Sequence, residues 1–312
     1  MKIIPKVLIV CIFTATSHFT QAQDNLTTDD SQKFYFRVGG GYSFESGKTE
    51  FNNADPNGLT GIMQSTDVTV SADGSTVNVK SLNGTAGAGV KANVTAGYMF
   101  NPYIGVELGV SYFHGDKTLI GRLRSPQVAS EENTYLRGFD VAPGIFLTPN
   151  FKTVNPYARM GLIVPVAGEL TIETIAKQAN GGGPGTDILV EAKSEVKASF
   201  SVGYFGAIGL NYPINDNLSI FGEVEIKNLS IKSKSAEIIE YATTAISNGQ
   251  SQLVPGQQLA DLPVYEKKFE FTDDYNQSTT TTPNQNEPRK IPLQFVNASG
   301  TGINVGIRFT LN

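Results

Sequence analysis

Apolar and polar residues alternate one for one along the last stretch of the chain. Ile303, Val305, Ile307, Phe309 and Leu311 interleave with Asn304, Gly306, Arg308 and Thr310, the period of a strand with one apolar and one polar face. The same alternation recurs upstream and predicts seven earlier strands. They run over Phe34–Phe44, Gly87–Phe100, Tyr103–His114, Tyr135–Thr148, Tyr157–Val166, Val196–Tyr212 and Leu218–Lys227. Pro143 interrupts the fourth, where a missing ladder donor predicts a bulge or a frayed pair. The connections run long, short, long, short, long, short, long. The long ones are 45–85, 115–133, 167–195 and 228–293. Asp73-Gly74, between two alternating runs, predicts a small hairpin inside the first. Gly181–Gly185 reads as a flexible break in the third, and Gln277–Asn286 is low-complexity. A strand that ends the chain would leave an unpaired edge unless it closes on the first strand. The expectation is therefore an all-β, eight-stranded antiparallel up-and-down barrel, with the short turns and both termini at one end.

The inner and outer faces of such a barrel follow from where glycine, charge and aromatic residues fall. Glycine gathers on the polar face, at Gly39, Gly41, Gly97, Gly105, Gly109, Gly144, Gly161, Gly209 and Gly306 among others. It weakens a water-exposed strand but relieves crowding across a narrow lumen. The apolar faces carry no charge at their central positions, Arg137 at a strand end being the nearest. Aromatics collect near the short-turn end, at Phe36, Tyr98, Phe100, Tyr103, Phe151, Tyr157, Tyr212 and Phe309, as in an interfacial girdle. These features separate a transmembrane barrel, apolar face outward, from a soluble barrel with its apolar face inside.

Composition agrees. Charged residues are 17% of the chain, against about 25% in soluble domains. The acidic balance, −5 at neutral pH, shows no basic stripe for nucleic acid. Lys2 and Lys6 precede the short apolar run Val7–Phe13, and small and polar residues follow to Ala22. That is the pattern of a secretory signal peptide, residues 1–22, ahead of a single barrel domain, 23–312. The lone cysteine, Cys11, lies inside the leader, and bulky Val10 before it argues against a lipid acceptor.

With the leader, the eight alternating strands and the closing Ile303–Phe309 segment on the page, the sequence resembles the small outer-membrane β-barrel proteins of Gram-negative bacteria, the porin-like family with OmpA-, OmpX- and OmpW-type barrels. The resemblance implies a bacterial outer-membrane location, long extracellular loops and short periplasmic turns. It also implies contact with outer-membrane lipid and lipopolysaccharide. A closing strand read by the outer-membrane assembly machinery would present Ile303, Val305, Ile307 and Phe309. In this chain Thr310, Leu311 and Asn312 follow the aromatic that usually ends such a strand.

The candidate chemistry is on the polar face. Arg37, Lys91, Arg159, Lys227 and Arg308 meet Glu107, Asp140, Glu223 and Glu225 there. An eight-stranded barrel is just wide enough to be filled by side chains, and unpaired buried charges are costly. The expectation is a charge network plugging the lumen, with a narrow porin-like channel or transporter for small or apolar solutes as the alternative. No Cys/His cluster suggests a metal, no motif suggests a cofactor, and His114 has no nucleophile beside it in sequence, so no catalytic residue is assigned. The remaining expectation is a structural or surface-contact role through the external loops.

Overall fold

The computed structural model describes residues 34–51, 65–151, 153–274 and 282–311. The leader reading, 1–22, and residues 277–281 of the low-complexity stretch at 277–286 lie outside them. Eight antiparallel strands form a closed ring: β1 Phe34–Glu45, β2 Gly89–Met99, β3 Ile104–Gly115, β4 Val128–Leu147, β5 Asn155–Gln178, β6 Gly203–Pro213, β7 Leu218–Asn228 and β8 Gly300–Leu311. Each pairs with the next. Closure comes from β1 on β8, in unbroken register from Phe34–Leu311 to Glu45–Gly300. The last strand thus has both edges satisfied, as a barrel requires.

The alternation sets which side faces in. Tyr35 and Arg37 on β1 are buried while Phe34, Phe36 and Val38 are exposed. On β3, Gly105, Glu107, Gly109, Ser111 and Phe113 are buried between exposed Ile104, Val106, Leu108, Val110 and Tyr112. Inward glycines make room for rings. A Cβ on Gly97 would overlap the Tyr35 ring, and one on Gly39 would lie 2.8 Å from the Phe221 Cζ.

Beyond the ring, at the long-connection end, the sequence-based expectation of loops is corrected. β4 and β5 are 20 and 24 residues long, where about 9–11 suffice to cross a bilayer. Their outer halves stay paired from Arg137–Glu169 to Val128–Gln178. Segment 167–195 is mostly the outer arm of β5 and strand Thr186–Ala198, joined in a hairpin from Glu169–Lys197 to Gln178–Ile188. Gly181–Gly185 is its tip, with Gly183 and Gly185 at positive φ. The predicted sixth strand splits in two: Val196–Ala198 ends the outer strand, and the barrel strand begins at Gly203. Between them the Ser199 amide donates to the Lys232 carbonyl (2.7 Å) and the Lys232 amide to the Ser201 hydroxyl (2.9 Å).

The 228–293 connection holds the 18-residue strand Ser230–Ser247, paired with Thr186–Ala198 and with Gln250–Gln258. In 115–133, strand Thr118–Arg124 folds back on β4. The Asp73-Gly74 hairpin is present as Thr66–Val70 and Val77–Ser81. Ser71 and Ser75 donate to the Asp73 carboxylate there and hold it down to about 2. The bulge lies on β5, between Pro165 and Ala167, and at Pro143 the β4–β5 pairing lapses without changing register. The result is a β-wall rising about 30 Å above one rim, by the rise per residue of the paired arms.

Candidate functional site

From the short-turn end upward, the lumen is filled in layers. The first is aromatic: Tyr35, Met99, Phe146, Tyr157 and Phe221 form one buried cluster. The Arg308 guanidinium lies 3.8 Å from the Tyr35 ring centroid and 5.0 Å from that of Phe146, a cation–π arrangement in a desolvated setting.

Above it sit two guanidinium groups and two carboxylates in alternation. Glu223 accepts from Arg37 Nη2 (2.7 Å), Tyr157 Oη (2.8 Å), Arg159 Nη1 (2.9 Å) and Asn304 Nδ2 (3.1 Å). Glu107 accepts from Tyr35 Oη (2.8 Å) and Arg159 Nε (2.5 Å) and lies 3.5 Å from Arg37 Nη1. Both carboxylates and the Arg37 side chain are 1% exposed. Alternating charge, with each carboxylate oxygen of Glu107 and Glu223 held by at least one hydrogen bond, is the condition under which buried ions are tolerated.

The third layer is looser. Lys91 pairs with Glu225. Asp140 accepts from the Ser111 hydroxyl (2.6 Å), and the Lys227 ammonium lies 4.5 Å from the Phe113 ring centroid. Lys91, Asn93, Ser111, Asp140, Glu225 and Lys227 line a cavity of about 30 Å³, room for little more than a water. Ile163, Phe205, Leu229, Ile231 and Ala298 close the far end. All nine charged residues singled out from sequence therefore face the lumen, seven of them in direct ion pairs or hydrogen bonds. Tyr35, Tyr157, Asn304, Phe146 and Phe221 are equal partners that sequence reasoning passed over. Their inward parity was the signal.

The sequence matches the family model of the outer membrane protein beta-barrel domain over residues 11–254. The chain belongs to that family. Among solved structures, the outer membrane protein OprG from Pseudomonas aeruginosa is similar at 12% identity, with 90% of this chain and 97% of that chain covered and a TM-score of 0.42. OmpT, an outer membrane protein of Vibrio cholerae, is similar at 9% identity over 89% and 98%, with a TM-score of 0.09. No curated protein matches. The assignment rests on the family model, together with the closed ring of eight strands.

As an outer-membrane β-barrel, the chain has a lipid solvent for its exposed apolar face. Val38, Val94, Leu108, Ile208, Val224 and Ile307 belong to that band. In water such a continuous band would be an aggregation surface. In lipid it is the required one, since only a closed barrel satisfies every strand's backbone there. Phe36, Phe100, Tyr103, Phe151, Tyr212 and Phe309 are exposed at the short-turn end. Tyr157 is removed from that girdle: it is 4% exposed and points into the lumen, as expected from its parity with Arg159. On β8, Ile303, Val305, Ile307 and Phe309 all face outward.

Proposed function

We propose that this outer-membrane barrel has a lumen closed by its own side chains and acts as a structural and surface-contact protein. The observation that carries this reading is the stack of buried layers, an aromatic plug, an ion-paired quartet and an apolar cap, across the full bore. The chain is then exported through its residue 1–22 leader and inserted by the outer-membrane assembly machinery. That machinery would read the outward Ile303, Val305, Ile307 and Phe309. The short turns lie in the periplasm, and the β-wall stands outside the cell among lipopolysaccharide. Surface partners would meet segments 45–85, 115–133, 167–195 and 228–293. The barrel is not an enzyme: His114, the histidine within the described residues, lies on the outward parity of β3, away from the Ser111–Asp140 pair inside.

The second reading, a narrow conducting path for small solutes, draws on the polar cavity beside Lys227 and Asp140. Recording in planar lipid bilayers separates the two. The closed-lumen reading expects no steady open level above the membrane background. Sustained single-channel steps would overturn it in favour of conduction.

A further inference from the structure

Five cations and four anions face the lumen, so one cation is left over. Arg37 and Arg159 are held by Glu107 and Glu223. Lys91 and Lys227 share a level with Glu225 and Asp140 around one small cavity. Arg308 remains. It makes no ion pair among the described residues, and in the β1–β8 ladder it stands directly opposite another cation, Arg37. Its guanidinium lies against the rings of Tyr35 and Phe146, both of them buried. Its Nε is buried without a hydrogen-bond partner, while the residue as a whole is part-exposed. Arg308 belongs to the layer nearest the short-turn end, and the quartet has no carboxylate oxygen to spare for it.

The chain itself brings acids to this mouth. β1 starts at Phe34, which faces Leu311 near the end of β8. Residues 23–33, immediately before it, read QDNLTTDDSQK and lie outside the described residues. Asp24, Asp29 and Asp30 set three negative charges against one positive, Lys33. Covalent attachment puts this segment at the same end of the barrel as Arg308, whichever side of the membrane that is. Four residue steps separate Asp30 from Phe34 and span up to about 14 Å. Arg308 is one strand away, about 4.8 Å, and three ladder positions up, about 10 Å. The short turns hold one acid, Asp216, and it makes no ion pair among the described residues.

We infer that the acidic segment 23–33 folds back into the short-turn mouth, where Asp29 and Asp30 supply the counter-ion that the lumen lacks for Arg308. A cation in a partly desolvated site is costly without an anion beside it. A guanidinium already stacked on two rings can take a carboxylate through two parallel hydrogen bonds with little further ordering. A short tether holds the aspartates at millimolar effective concentration, which favours them over dissolved anions. An ion-conducting lumen would have the same unpaired cation at its mouth, so this docking stands or falls apart from the conductance result.

The test uses the folded mature chain, residues 23–312, which has no cysteine of its own. Ser31→Cys and Ser219→Cys are introduced together, Ser219 being the residue that faces Arg308 across the β7–β8 ladder. Copper-phenanthroline oxidises the pair, and the closed loop is read as a mobility shift on a urea gel. Adding Asp29→Asn with Asp30→Asn should slow this cross-linking about tenfold, the effect of roughly one charged hydrogen bond. Adding Arg308→Gln instead should slow it equally. A control pair, Ser31→Cys with Thr153→Cys in the β4–β5 turn, reports random collisions of a tethered segment and should respond to neither change. Equal rates with and without the two aspartates, or a control pair that slows as much as the Ser219 pair, would overturn the docking. The aspartates lie outside the barrel strands, so that comparison stands even if Arg308→Gln does not fold.

Discussion

At the scale of single residues, Glu223 is the hinge of the interior. It accepts four hydrogen bonds from three different strands, two of them from guanidinium groups that have only one other carboxylate to share. Glu223→Leu would keep the volume and remove the charge, leaving Arg37 and Arg159 to divide Glu107. Breaking a buried pair from one side costs about 3–5 kcal/mol, because the stranded cation keeps its desolvation penalty. The expected outcome is a loss of that size in urea unfolding of the folded barrel in detergent. A loss below about 1 kcal/mol, the range of exposed pairs, would mean that water reaches the quartet and that the lumen is not closed at this level. The charged members were legible in the sequence because parity puts Arg37, Glu107, Arg159 and Glu223 on inner faces. Their partners were not. Arg37 and Glu223 are 186 positions apart, and which residues share a level depends on the stagger of strands around the ring, a quantity that alternation does not carry.

At the scale of elements, glycine placement distinguishes the two faces of one strand pair. Gly209 on β6 points inward, and a Cβ there would stand 2.5 Å from the Tyr157 Cζ and 2.6 Å from the Gly222 carbonyl oxygen. Tyr157 cannot yield easily, since it is bonded to both Arg37 and Glu223. Gly222 on β7 points outward, with open space where its Cβ would be. Gly209→Ala should therefore destabilise the barrel by about 1–3 kcal/mol, the usual range for overpacking. Gly222→Ala should be neutral or slightly stabilising, since it lowers the freedom of the unfolded chain. Equilibrium unfolding of the two variants side by side checks the contrast, and equal effects would contradict the assigned faces. The barrel strands were legible because lipid on one side and a packed lumen on the other enforce strict alternation. The outer arms were not. In Thr186–Ala198, Asp187, Glu191, Lys193, Glu195 and Lys197 interrupt the apolar residues, because that face meets water rather than acyl chains. A strand freed from lipid reads as a polar loop.

At the scale of the whole molecule, two structures are stacked: a ring closed by hydrogen bonds between its first and last strands, and a wall that grows from it. The ring's own pairings end low on β5. Asn155–Ile163 pair with β6, and Ala158–Pro165 with β4, all below the bulge after Pro165. The wall's pairings begin above it, from Ala167 upward. The bulge marks a mechanical boundary, since an extra residue there lets the arm bend and twist without disturbing the register beneath. The aromatic and charged layers of the lumen also lie below it, from Tyr35 up to Lys227, so neither the β1–β8 closure nor the ion-paired quartet draws on the wall. A chain in which residues 172–194 are replaced by an Asn-Gly turn would join Thr171 to Glu195, which already face each other. It should still fold into a barrel. Shortening a surface hairpin changes loop entropy by only about 1 kcal/mol, and no ring pairing is lost. The expected result is the heat-sensitive compact band of a folded barrel on gel electrophoresis, with an unfolding midpoint close to that of the full chain. A shortened chain that inserts but no longer migrates as a compact species would show that the wall holds the ring closed. The two levels would then be a single cooperative unit.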